Sequence, residues 1–197
     1  RACAALPARP VAADDGQTGS FRGDVKVISL IGVAHFFSHF YILLLPPLFP
    51  VLKDVFGVSY VDLGLILVAF SGATGISQIV CGYLVDKIGA KGILIGGLAL
   101  EGAAFLLIGL TGSYWAVVGL MVVAGIANGV YHPADYAILS ASVSERRMGR
   151  AFSLHTFTGF FGGAVVPPTI IGLAVLFGWQ AGVAACGAAG MIAALGL

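Results

Sequence analysis

Histidine is the side chain whose ordinary titration spans neutral pH, and the four in this chain all lie in apolar segments. His35 and His39 are one helical turn apart, with Ser38 beside them. Asn128, His132 and Asp135 follow at i, i+4 and i+7, which puts three polar groups on one helical stripe. Tyr131 and Pro133 flank the second of these, and His155, Thr158, Gly159 and Gly162 share a further face. The chemistry open to such a set is proton exchange, hydrogen bonding to a polar cargo, or metal ligation. A His-x3-His pair is two ligands short of a metal site, and no cysteine or carboxylate lies near it in sequence. We therefore expect no metal and no cofactor. His35, His39, Gln78, Asn128, Tyr131, His132, His155 and Thr158 are expected to line a polar cavity. His132 and Asp135 are the expected coupling pair, with Asp135 at the cavity's cytoplasmic rim. The plainer alternatives are interhelical hydrogen bonding and, for Asp135, an interfacial carboxylate.

The elements that carry these residues are set by composition. Hydrophobic residues make up 59% of the 197, and charged residues only 10%, against ~25% in soluble domains. That excludes a disordered chain and a basic nucleic-acid-binding domain, and it leaves too few polar groups to cover a soluble globule. Six apolar stretches, at 27–52, 60–85, 92–110, 114–138, 149–176 and 179–197, each approach or exceed the ~20 residues that cross a bilayer as a helix. The expected class is an all-α integral membrane protein, with residues 1–23 a mobile cytoplasmic tail and 24–197 a six-helix transmembrane domain. Cys3, Cys81 and Cys186 are too scattered for a disulfide framework. The chain opens on Arg1 and stops at Leu197 inside an apolar run, which reads as part of a longer protein.

Short linkers make successive helices antiparallel. Arg1, Arg9, Arg22, Lys26, Lys87, Lys91, Arg146, Arg147 and Arg150 then share one side, and the other carries Lys53 alone. The positive-inside rule makes the first side, with the N-terminus, cytoplasmic. The expected location is the plasma (inner) membrane, crossed several times. Gly82, Gly89 and Gly92 are echoed by Gly172, Gly178 and Gly182, as a 3+3 inverted repeat or as a chance result of abundant glycine. On the second helix Gly64, Ser71, Gly75, Gln78 and Gly82 form a stripe of mostly small residues, expected to pack against a neighbour.

The loop Gly82-Tyr83-Leu84-Val85-Asp86-Lys87-Ile88-Gly89-Ala90-Lys91 is the most specific pattern. As a bare sequence it is a positively charged turn. It also resembles the loop between helices two and three of the major facilitator superfamily, with Gly82, Leu84, Asp86, Lys87, Gly89 and Lys91 in register. Tyr131-His132-Pro133, Ser153-Leu154-His155 with the following glycines and Pro167-Pro168, and His35 are similar to the fosmidomycin-resistance branch. Ser38 and His39 stand where that branch tends to have Asn-Asp, and Met121 stands near the place of a helix-four arginine. The resemblance implies the N-terminal half of a twelve-helix transporter, its second half missing, with Gly82, Asp86, Lys87, Gly89 and Lys91 as a gating motif. It further implies alternating access, a small polar or amphiphilic organic cargo, proton-coupled efflux in the manner of an antiporter, and no enzymatic activity. Third helices sit peripherally in that family, so Glu101 is expected to have a structural partner or an interfacial position. The competing class is a membrane-embedded, histidine-rich redox subunit holding metal or haem.

Overall fold

The computed structural model describes residues 20–197, so the expectations for the tail up to residue 19, including Arg1, Cys3 and Arg9, lie outside the described residues. The described chain is all helical: α1 (Phe21–Ile42), a 3-10 turn (Pro46–Leu48), α2 (Phe49–Phe56), α3 (Tyr60–Ile88), α4 (Ala90–Leu110), α5 (Tyr114–Asn128), α6 (Tyr131–Ser142), α7 (Glu145–Phe177) and α8 (Trp179–Leu195). These make six passes. Five are long and apolar enough to cross a membrane, counting α1 with α2 and α5 with α6, and α8 is apolar but shorter at 17 residues.

Two of the passes are broken by proline. The first pass stops at Ile42, because Pro46 and Pro47 carry no amide hydrogen and disfavour helix before them. The fourth does not close at Tyr131-His132-Pro133. It pauses at Gly129-Val130 and restarts at Tyr131, with Pro133 in the first turn of α6 and unable to bond back to the Gly129 carbonyl. Val130 bonds instead to Ala127. By contrast α7 runs through Pro167 and Pro168 as one helix. At the start of the chain, helix begins at Phe21, inside the segment expected to be tail.

Linkers are shorter than the charge pattern implied. Asp86 and Lys87 belong to α3, and the whole α3–α4 connection is Gly89 at φ 92° and ψ 143°. Gly178 joins α7 to α8 at φ 84° and ψ 153°. Both conformations lie where only glycine is unstrained, and they occupy equivalent places in the two sets of three passes.

The packing follows small residues, though not the stripe expected. Nothing in the described chain approaches Gly64, Gly75 or Gly82 closely, and Ser71 and Gly75 are exposed. That stripe of α3 points away from the bundle. Close approach occurs elsewhere: a side chain on Gly125 would strike the Phe70 carbonyl of α3, and one on Gly162 the Phe36 carbonyl of α1. Gly102 of α4 and Gly187 of α8 each lie against the other helix's backbone. One end of the bundle is tied by Asp24, which accepts from Arg147 Nε at 2.7 Å and from Ser144 Oγ at 3.0 Å. The other end is tied by Tyr114, whose hydroxyl donates to the Asp62 carbonyl at 2.7 Å. These contacts place the start of α1 and the α6–α7 junction at the same end, as the charge pairing requires.

Because α4 and α8 touch backbone to backbone, Gly187→Val should destabilise the folded protein by at least the ~1–3 kcal/mol of an overpacked core. Gly96→Ala, at a position open on the same α4, should leave thermal unfolding in detergent unchanged. Equal midpoints for the two variants would refute this helix contact.

Candidate functional site

The expected polar residues converge, but around a different centre. α1 supplies His35 and His39, α6 supplies His132 and Asp135, and α7 supplies His155. Asp135 is not at a rim. It is fully buried, and its Oδ2 meets His155 Nε2 at 3.0 Å and lies 3.3 Å from His35 Nδ1. Asp135 lies on the face of α6 that meets α1 and α7. A side chain on Gly159 would run into the rings of His35 and His39, so the glycine of α7 leaves the room this cluster occupies.

The four imidazoles are neighbours. His35 stacks on His155 with centroids 3.6 Å apart, and it lies 4.7 Å from His39 and 5.4 Å from His132. His35 and His155 are buried, whereas His39 and His132 are half-buried. The pairing of His132 with Asp135 expected from spacing is replaced by contacts of Asp135 to His35 and His155. His132 instead helps line an open groove of ≈ 480 Å³ with Gly75, Gln78, Ile79, Pro133 and Tyr136. Thr158 donates to the His155 carbonyl at 2.8 Å, a bond within its own helix, and its methyl packs near Gly32.

Asn128 and Tyr131 belong to a second network, centred on a residue the sequence reading set aside. Glu101 of α4 is fully buried. It accepts from Asn128 Nδ2 at 3.0 Å and from the Tyr131 hydroxyl at 2.8 Å. Asn128 also donates to Ser38 Oγ at 3.1 Å. Full burial removes the interfacial position expected for Glu101, and its partners come from α5 and α6. The sequence signal was present, since a carboxylate midway along an apolar span must find partners. Which partners it finds depends on packing between helices that sequence spacing does not encode. Beside this network Tyr41 stacks on Phe105 at 4.6 Å and donates to the Cys186 carbonyl at 2.9 Å, joining α1, α4 and α8.

In sequence no carboxylate lies near the His35–His39 pair. The fold supplies one: nitrogen and oxygen atoms of His35, Asp135 and His155 lie within 4.8 Å of one another. Of the residues expected to form a gating motif, Asp86 and Lys87 are exposed on the last turn of α3, and Lys87 Nζ sits 4.5 Å from the Tyr83 ring centroid. Gly89 makes the turn, Lys91 is exposed, and Gly82 meets no neighbour in the described chain.

Comparison with known proteins agrees with this geometry. The Major Facilitator Superfamily pattern matches residues 31–197. The fosmidomycin resistance protein of Escherichia coli (strain K12) is 26% identical over 159 residues, 81% of this chain and 39% of that protein. A probable sulfoacetate transporter of Cupriavidus necator is 31% identical over 133 residues, 66% of this chain and 30% of that one. A solved bacterial homologue of the human lysosomal transporter Spinster superposes with a TM-score of 0.82 at 16% identity, covering 90% of this chain and 43% of its own. The chain thus spans less than half the length of these relatives, and its six passes match one part of a larger transporter fold. This chain belongs to the major facilitator superfamily.

Proposed function

We propose that the protein of which these six passes are one half exports a small polar or amphiphilic organic molecule by alternating access, driven by protons. The observation that carries the reading is the pair of buried acids, Glu101 and Asp135, inside spans otherwise apolar. A charged group at bilayer depth costs at least ~2.5 kcal/mol, so acids held there mark a pathway or a relay. Relatives named for fosmidomycin resistance, sulfoacetate and L-galactonate transport handle small polar organic molecules. The half-buried His39 and His132, with Gln78 on the groove, are the groups such a cargo would meet first.

We assign the proton step to Glu101. Both its oxygens accept hydrogen bonds, from α5 and from the first turn of α6. Adding a proton changes what Asn128 and Tyr131 can donate to, on the two sides of the break at Gly129-Val130. Local protonation would thereby act on the one point where the fourth pass can bend. In the full-length protein reconstituted in liposomes, Glu101→Gln should still insert and bind cargo, but transport should no longer respond to an imposed pH gradient. Transport that still follows the gradient in this variant would remove Glu101 from the coupling.

The second six-helix half would cover the outward faces of α3 and α7, the two long passes least buried in this chain. Asp86 at the end of α3 would then meet a helix of that half and hold one gating state. Asp86→Asn should slow transport with expression retained, whereas unchanged transport would reduce this loop to a turn.

Orientation follows from the cations gathered at the end shared by α1 and the α6–α7 junction, which we place in the cytoplasm. Single cysteines at Ser113 and Gly178 should react with impermeant thiol reagents in intact cells, and one at Arg147 should not. Labelling at Arg147 would invert the assignment.

A further inference from the structure

We propose that His35, Asp135 and His155 form a binding site for one divalent first-row transition-metal ion, with Zn²⁺ the best chemical match. The three side chains come from α1, α6 and α7, and their ligand atoms lie within 4.8 Å of one another. His35 Nδ1 and His155 Nε2 are 3.3 Å and 3.0 Å from the same Asp135 oxygen. Those separations are near the ~3.3 Å between ligand atoms of a tetrahedral ion whose bonds are ~2.0–2.1 Å long.

A second observation is independent of that proximity. Among the described residues, the buried side-chain atoms without a hydrogen-bond partner are His35 Nδ1, His132 Nδ1 and Asp135 Oδ1. All three belong to this cluster. Buried polar atoms are rarely left unpaired, and a hydrogen-bonded relay would have used them: His35 Nδ1 stands close to the carboxylate yet makes no hydrogen bond to it. A cation held by His35 Nδ1, Asp135 Oδ2 and His155 Nε2 gives the unpaired His35 Nδ1 a use. Two imidazole nitrogens and one carboxylate oxygen, with a position left open, suit zinc and its first-row neighbours rather than Mg²⁺ or Ca²⁺.

The fit requires one adjustment. The His35 and His155 rings are stacked with 24° between their planes, and an ion shared by both must lie in the plane of each. The rings must therefore splay by rotation about their terminal torsions, which are broad and soft. The ion also replaces the proton in the His155–Asp135 hydrogen bond. The groove lined by His132 and Gln78 opens beside the cluster, the His132 ring centroid lying 5.4 Å from that of His35. This site does not rest on the transport reading, because binding needs neither a gradient nor a cargo.

The test uses the full-length protein, purified in detergent with a tag that contains no histidine and stripped of metal with a chelator. Co²⁺ is titrated in and read by its visible absorption, then displaced with Zn²⁺. The expected result is one saturable equivalent that His155→Ala and Asp135→Asn each weaken by more than the ~10–100-fold typical of a lost outer-shell partner. Asp54→Asn, an exposed carboxylate elsewhere, should bind as the wild type does. Thermal unfolding without metal checks that the variants fold, and His155→Gln replaces His155→Ala if that variant does not. Zn²⁺ should raise the midpoint of the wild type and leave those of the site variants where they are. No saturable binding by the wild type, or equal binding in both site variants, would overturn the proposal.

Discussion

A carboxylate buried in a hydrocarbon-spanning bundle requires polar partners, because each unpaired polar group there costs several kcal/mol. Asp135 imposes that requirement on this chain. Its Oδ2 has His155 at 3.0 Å and His35 at 3.3 Å, so α1, α6 and α7 have to meet at one depth. Much else is needed for that meeting. Gly159 leaves space for the rings, and Gly162 lets α7 lie on the backbone of α1. Replacing either of these changes the partners available to a fully buried acid.

Close helix approach is achieved without long apolar side chains at the crossings. In lipid there is no hydrophobic gain from bringing two apolar helices together, so dispersion between nearby backbones has to hold them. The contacts of Gly102 with Gly187, Gly125 with Phe70, and Gly162 with Phe36 do this at three separate crossings. The glycines of the α3 stripe make none of them, and the open face they leave is where a further domain would fit.

The class of the protein was legible because span length and apolar composition are properties of single segments. The turn at Gly89 was legible for the same reason, since a positive φ with this ψ is unstrained only in glycine, whereas the rest of the expected loop, Gly82 to Lys91, is helix. The breaks were legible in Pro46 and Pro133, each of which removes the amide that would bond to the carbonyl four residues earlier, Ile42 and Gly129, where the helices stop. Least legible was the division of one polar stripe into two networks. On a straight helix Asn128, His132 and Asp135 share a face. With the pause at Gly129-Val130, Asn128 turns to Ser38 and Glu101, Asp135 to His35 and His155, and His132 to the groove.

That division has a mechanical consequence. Glu101 and Asp135 lie in separate hydrogen-bonded groups, yet both groups lean on α1: one through Ser38, the other through His35, one turn earlier. The two acids are also linked along the fourth pass, because Asn128 and Tyr131 bracket the pause and Asp135 follows one turn after Tyr131. A movement of α1 along its axis therefore cannot loosen one acid and leave the other as it was. Nor can α6 rotate at the pause without changing the donors of Glu101 and the partners of Asp135 together. Each acid alone would give a structural anchor. Two acids sharing one helix and one break join α1, α4, α5, α6 and α7 through buried polar side chains.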